Sequence, residues 1–287
     1  MRTYGGHSMV SPLQRVLIKR PDEHFVVDDP ERWHYTGVPD LAVAQEEHDV
    51  LTGLLRRAGC EVLGHEESQP DRADSVYVFD PVWITDHGAI VLSMGKALRR
   101  GEEQAMARRL EALDIPILFA LKGDARAEGG DMFWLDERTL AVGRGFRTNA
   151  KGIDQLTRGL QPYGISVMPV DLPYFTGPEA CLHLLSLISM VDVDLAVVYP
   201  PLMAVSFHEE LERRGISQVV VPEEEFPTMG PNVLAVAPRH CIMLEGNPIT
   251  QGRLEAAGCT VETYPGREIS WRAEGGPTCL TRPILRG

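Results

Sequence analysis

Hydrophobic and polar positions along the chain fall into five copies of one pattern. A charged stretch with leucines and alanines at helical spacing runs into a one-residue turn and then an apolar run. The copies are EEHDVLTGLLRRAGCEVL, EEQAMARRLEALDIPIL, IDQLTRGLQPYGISVMPV, FHEELERRGISQVVV and TQGRLEAAGCTVETY. The helical spacing gathers the apolar side chains into one stripe. A glycine at the helix end supplies a left-handed cap, and the run that follows reads as a buried strand. The turn residues are Gly59, Asp114, Gly164, Gly215 and Gly258, at intervals of 55, 50, 51 and 43 residues. Asp114 stands where the other copies have glycine, although aspartate adopts left-handed backbone less readily.

Each copy continues into further strand-like sequence: DSVYVFDPVWIT, GGDMFWLDERTLAVG, HLLSLISMVDVDLAVVYP, NVLAVAPRHCIML and PTCLTRPIL. The fifth is short, and the N-terminal strand SPLQRVLIK is expected to complete it. Closing a ring this way removes an open sheet edge. A doubly wound sheet also alternates helix and strand, but a dinucleotide-binding version needs a glycine fingerprint after its first strand. SPLQRVLIKRPDEHF has none, and no P-loop occurs elsewhere. The expected architecture is α/β, a five-fold pseudosymmetric α/β propeller of ββαβ-type repeats, with residues 1–287 as one domain.

Composition narrows the partners. The 287 residues carry a formal charge of −13, which repels phosphate backbones and argues against a polybasic membrane surface. Neither nucleic acid nor membrane is expected as a partner. Five cysteines at wide spacing, with no CxxC, form neither a disulfide framework nor a zinc pattern. His7, His24 and His34 lack metal-ligand spacing, so no metal is expected, and no cofactor. The first twenty residues show no apolar leader, and a cytoplasmic location is expected.

Polar residues recur at similar offsets after the turns. Asp74 and Asp80 lie 15 and 21 residues after Gly59, and Glu128 and Asp131 lie 14 and 17 after Asp114. His183 lies 19 after Gly164, Asn232 17 after Gly215, and Cys279 21 after Gly258. In a cyclic array, equivalent positions face one axis. Cys60, Cys181, Cys241 and Cys259 read as small core residues. Cys279, behind Gly275-Gly276-Pro277, sits where backbone can approach a ligand. His183 interrupts an apolar run, and histidine titrates near neutrality. The runs KALRRGEE and GRGFRTN supply Arg99, Arg100, Arg144 and Arg147, and one or two of these arginines can grip a carboxylate bidentately. Two carboxylates, a thiol and a histidine suit a cationic, planar electrophile such as a guanidinium carbon. The carboxylates hold the cation, the thiolate attacks, and the histidine protonates the leaving amine.

The order DSVYVFDP, RRGEE, EGGD, RTN, the histidine of CLHLLS, GPNVLAVAP and PTCLTRP resembles the guanidino-group-modifying superfamily of pentein fold. Its dimethylarginine dimethylaminohydrolases make citrulline and an alkylamine from methylated arginine. The resemblance implies Cys279 as nucleophile, His183 as acid and base, and Glu128 and Asp80 around the guanidinium. It implies Asp74 at the substrate α-ammonium, Arg99 and Arg147 at its carboxylate, and Asp131 and Asn232 in support. Two positions depart from the pattern. Phe79 stands where dimethylarginine hydrolases usually carry Glu, adding an apolar wall to the substrate-binding set. Leu185 stands where arginine deiminases and glycine-type amidinotransferases carry Asp. The chain also lacks room for the extra helical domain of typical arginine deiminases. The expected partner is a small guanidino substrate, and a homodimer is expected. Amidine transfer, deimination or dihydrolysis of another guanidino compound, or a ligand-binding pentein without catalysis, are the alternatives. TGVPDLAVAQEEH is expected near the pocket mouth.

Overall fold

The computed structural model describes residues 2–178 and 181–287. The chain opens with β1 (Leu13–Ile18), the single turn α1 (Pro30–Trp33), α2 (Leu41–Arg57) and β2 (Glu61–Gly64). Three complete units follow: β3 (Val82–Thr85), β4 (Gly88–Val91), α3 (Glu102–Glu111), β5 (Ile117–Ala120); β6 (Met132–Asp136), β7 (Thr139–Arg144), α4 (Ala150–Leu160), β8 (Ser166–Asp171); and β9 (Ile188–Asp192), β10 (Leu195–Val198), α5 (Val205–Arg213), β11 (Ser217–Val220). The last is β12 (Val233–Ala237), β13 (His240–Leu244), α6 (Pro248–Ala256) and β14 (Thr260–Tyr264), before β15 (Arg282–Arg286). Each unit makes one three-stranded sheet, its first pair antiparallel and its second pair parallel across a helix.

β15 and β1 pair antiparallel, and β1 and β2 pair parallel, so the two ends of the chain build the fifth sheet. The expected five-fold ring is what the chain forms. All five turn residues have positive φ, from 57° at Asp114 to 88° at Gly59. A helix must reverse sharply to feed the parallel strand, and the left-handed residue makes that reversal.

The order of burial follows from this layout. The first two strands of each unit are buried at nearly every position, whereas β2, β5, β8 and β11 are largely half-exposed or exposed. The inner strands are apolar runs because protein covers both of their faces. α4 shows the outer layer: Ile153, Leu156 and Leu160 are buried at helical spacing, and the Asn149 side chain caps its start by accepting from Gly152 N at 2.9 Å. Among the described residues no helix is long and apolar enough to cross a membrane.

Two buried arginines of β15 tie the ring together. Arg282 donates to the carbonyls of Phe79 and Val82, and its guanidinium lies 3.9 Å from the centre of the Phe79 ring. Arg286 donates to the carbonyls of Ser11 and Ala235. Each crosses from β15 to another part of the ring.

One expected strand takes another form. The residues DSVYVFD make a 3-10 turn over Ala73–Val76 and then irregular chain, and β3 begins only at Val82. Val76, Tyr77, Val78 and Phe79 are all buried. An apolar run here marks a segment enclosed on all sides, and Pro81 cannot donate to a ladder.

Candidate active site

Every unit contributes a polar residue from the loop that leads into its first strand. Asp80 precedes β3, Glu128 precedes β6, His183 precedes β9, Asn232 precedes β12 and Cys279 precedes β15. Asp80, His183, Asn232 and Cys279 line one cavity of about 340 Å³. Glu128 stands directly behind His183, fully buried. The convergence expected from equivalent repeat positions is what the ring produces.

Glu128 organises one side. Its Oε1 accepts from the backbone N–H groups of Gly95 and Lys96 at 2.9 and 3.0 Å. Its Oε2 meets His183 Nε2 at 2.7 Å and Arg147 Nη1 at 3.2 Å. Burial opposes the carboxylate charge, but His183 and Arg147 outweigh it and hold the group well below the usual carboxylate range. Burial likewise opposes charge on His183. Cys181, Asp131 and the hydrogen bond to Glu128 overcome it, so the imidazole stays protonated well above its ordinary value.

Asp131 has the opposite balance. Burial pushes its carboxyl up to about 6. Its Oδ1 accepts from Leu184 N at 3.0 Å, which fixes the backbone next to His183.

Asp80 accepts from Gly130 N at 2.7 Å and from Arg99 Nη1 at 2.5 Å. Gly130 has to be glycine: a Cβ there would sit 2.4 Å from His183 Nδ1 and 3.0 Å from Asp80 Oδ1. Oxygen and nitrogen atoms of Asp80, Glu128 and His183 lie within 4.8 Å of one another, which sets two carboxylates beside the imidazolium.

Cys279 is half-buried in a turn ahead of β15. Asn232 Nδ2 lies 3.4 Å from its sulfur, and Asn232 Oδ1 accepts from Thr278 N at 3.1 Å, so one amide orients both the thiol and its backbone. Phe79 N donates to the Cys279 carbonyl at 3.2 Å. Burial, with the nearby Asp80 and Cys181, pushes the thiol up to about 11, against the pull of His183 and Asn232. That direction favours the thiol over the thiolate in the free protein.

Other expected residues take more particular places. Arg99 is buried and spends its donors internally, on Glu102 at 2.8–3.1 Å, on Asp80, and on the Tyr77 carbonyl at 2.9 Å. Asp74 accepts from Tyr35 Oη at 3.0 Å and from Lys96 Nζ at 2.6 Å. Arg147 lines the cavity, with Glu128 as its ion-pair partner. Phe79 and Leu185 supply apolar wall.

One expectation needs correction. Cys181, taken for a core residue, is half-buried, lines the cavity and interacts with His183. Its position two residues before the histidine was the available signal. Trp33 and His34 line the cavity, and TGVPDLAVAQEEH follows closely after them in the chain. Lys96 also lines the cavity and was overlooked, because a lysine beside two arginines reads as solvated surface.

Five ββαβ units around a polar centre define the pentein fold. A Pseudomonas aeruginosa dimethylarginine dimethylaminohydrolase variant, solved with citrulline, superposes with a TM-score of 0.79 at 22% identity, covering 95% of this chain and all of that one. The family model for arginine deiminase matches residues 70–215 and 207–286, and the chain belongs to that family. The arginine deiminase of Rhodococcus jostii (strain RHA1) is 31% identical, with 98% of this chain and 97% of the relative covered. That alignment spans 395 positions against 287 residues here, so the relative carries additional segments. The N(G),N(G)-dimethylarginine dimethylaminohydrolase of P. aeruginosa is 27% identical, with 92% and 97% covered. The chain is thus related to enzymes of guanidino-group chemistry.

Proposed function

We propose that the protein is a cysteine-dependent hydrolase of a modified arginine, with a methylated guanidinium as the reacting group. The observation that carries this reading is the meeting of Cys279, His183 and Asp80 from three separate repeats at one cavity, with Glu128 of a fourth held against His183. The guanidinium lies against the carboxylates, and its arrival lowers the pKa of the Cys279 thiol, which releases its proton to solvent. The thiolate adds to the guanidino carbon. The tetrahedral adduct expels the substituted amine, which takes its proton from His183. A planar thiouronium on Cys279 remains. His183, now neutral, accepts a proton from water as the water adds to that carbon, and the thiolate departs. The products are citrulline and an alkylamine.

Phe79 and Leu185 favour an alkylated guanidine. Both line the cavity, and an apolar wall there suits a methyl group better than a bare N–H, which needs an acceptor. Unmodified arginine is the second reading, favoured by the 31% identity to an arginine deiminase. Incubation with arginine, monomethylarginine and asymmetric dimethylarginine, with Cys279→Ser as control, separates the two by mass spectrometry of the products. Citrulline from the methylated substrates alone supports the proposal. Citrulline with ammonia from arginine alone establishes the second reading. Full turnover by Cys279→Ser ends the covalent mechanism.

A further inference from the structure

The cavity wall carries a resident ammonium. Lys96 Nζ lies 2.6 Å from Asp74 Oδ2, in a pair whose side chains are 12% and 5% exposed. It also donates to the Trp33 carbonyl at 2.8 Å and stands 5.5 Å from the centre of the Trp33 ring. Three anchors of different kinds hold it in place. The second oxygen of Asp74 accepts from Tyr35 Oη, which has no freedom to leave because Tyr35 is buried. Asp74 therefore arrives at the cavity neutralised, with both oxygens engaged.

An amino-acid substrate brings its own ammonium. To reach Asp74 it must either displace Lys96 from a short, mostly buried ion pair or share one carboxylate with it. If Lys96 stays, two like charges meet in a poorly solvated corner. Breaking a buried pair by removing one partner is far costlier than never having offered it. Arg99 cannot balance the tail instead, since Glu102, Asp80 and a carbonyl take its donors. Arg147, with Glu128 as partner on Nη1, still has N–H groups for a carboxylate.

We propose that the substrate is a guanidino compound whose far end has no free ammonium, an arginine derivative with its α-nitrogen acylated or absent, and that Lys96 is the specificity residue that selects it. This rests on the reading of the site as a guanidino hydrolase and fixes which end of the substrate is further modified, so that the ureido product is the α-acylated or deaminated counterpart of citrulline.

The test uses two matched pairs: arginine and asymmetric dimethylarginine, each against its Nα-acetyl derivative. Calorimetry on the Cys279→Ser chain measures binding without turnover, and kcat/KM is measured on the unaltered chain. The acetylated member of at least one pair is expected to bind about tenfold or more tightly and to be the better substrate. In Lys96→Met, whose backbone N–H still serves Glu128, the free amine is expected to gain about tenfold while the acetylated compound does not. Equal or tighter binding of the free amines by the Lys96-bearing chain overturns the proposal, whatever the variant's folding. So does a Lys96→Met chain that folds and weakens both members alike. Tight binding of an acetylated compound with no turnover would sink the hydrolase reading and leave the specificity inference standing. Binding of neither member of either pair would sink both.

Discussion

The Cys279 thiol offers a direct test of how the site works. Its value of about 11 leaves about one molecule in ten thousand as thiolate at pH 7. A guanidinium held about 4 Å from the sulfur, at the effective dielectric of a partly solvated protein site, contributes about 4 kcal/mol. That is about three pKa units, enough to bring the thiol to roughly 8 and raise the thiolate fraction at neutrality about a thousandfold. The ultraviolet absorbance of the thiolate measures this. The protein is titrated upward from neutral pH, with and without guanidinium ion at low millimolar concentration, and the Cys279→Ser trace is subtracted to remove the other four cysteines. The midpoint is expected to fall by several units when the cation binds. A midpoint that stays put at saturating cation refutes the reasoning, as does a free thiol that already titrates near neutrality. In either case the nucleophile's activation would have to come from the protein alone.

Further outcomes follow from the same geometry. Glu128→Gln keeps an oxygen for Gly95 N and Lys96 N but removes the charge facing His183 and Arg147. A drop of about a hundredfold or more in kcat, with the imidazole pKa moving down, is expected in the pH–rate profile. Gly130→Ala drives a methyl into His183 and Asp80, and turnover should fall at least as far while circular dichroism shows the fold retained. His48 is buried and its pKa is pushed down to about 4. Between pH 4 and 6.5 the unfolded chain binds the extra proton and the folded chain does not, so stability falls as pH falls through that window, by about 3 kcal/mol at most. His48→Leu should remove that part of the acid sensitivity, read as the shift in denaturation midpoint between pH 7 and pH 4.5. His65, buried and likewise lowered to about 4, will keep its own share.

The fold was legible because it repeats. Five turn residues with positive φ, Asp114 included, sit where a helix must feed a parallel strand, and equivalent offsets then point to the axis. The site was legible for the same reason, through residues that precede first strands. What escaped notice lacks a repeat. Lys96 sits in a basic run, and only the turn around Lys96–Arg99 aims it at Asp74. The internal pairing of Arg99 was written in RRGEE, since Arg99 and Glu102 are three residues apart and meet across one turn. The segment DSVYVFD misled because enclosure and strand formation select the same apolar residues.

The scattering of Asp80, Glu128, His183, Asn232 and Cys279 over five sheets makes the geometry of the candidate site a collective property. No single repeat, nor any pair of them, carries enough of the machinery to show partial function. Loosening one sheet moves one participant out of register with the other four, while fraying of an outer helix turn moves none. Loss of activity in rising denaturant should therefore coincide with loss of the ring as a whole, and enzyme assay becomes a readout of cooperativity. Fragments of the chain should regain function only by reassembling all five units together.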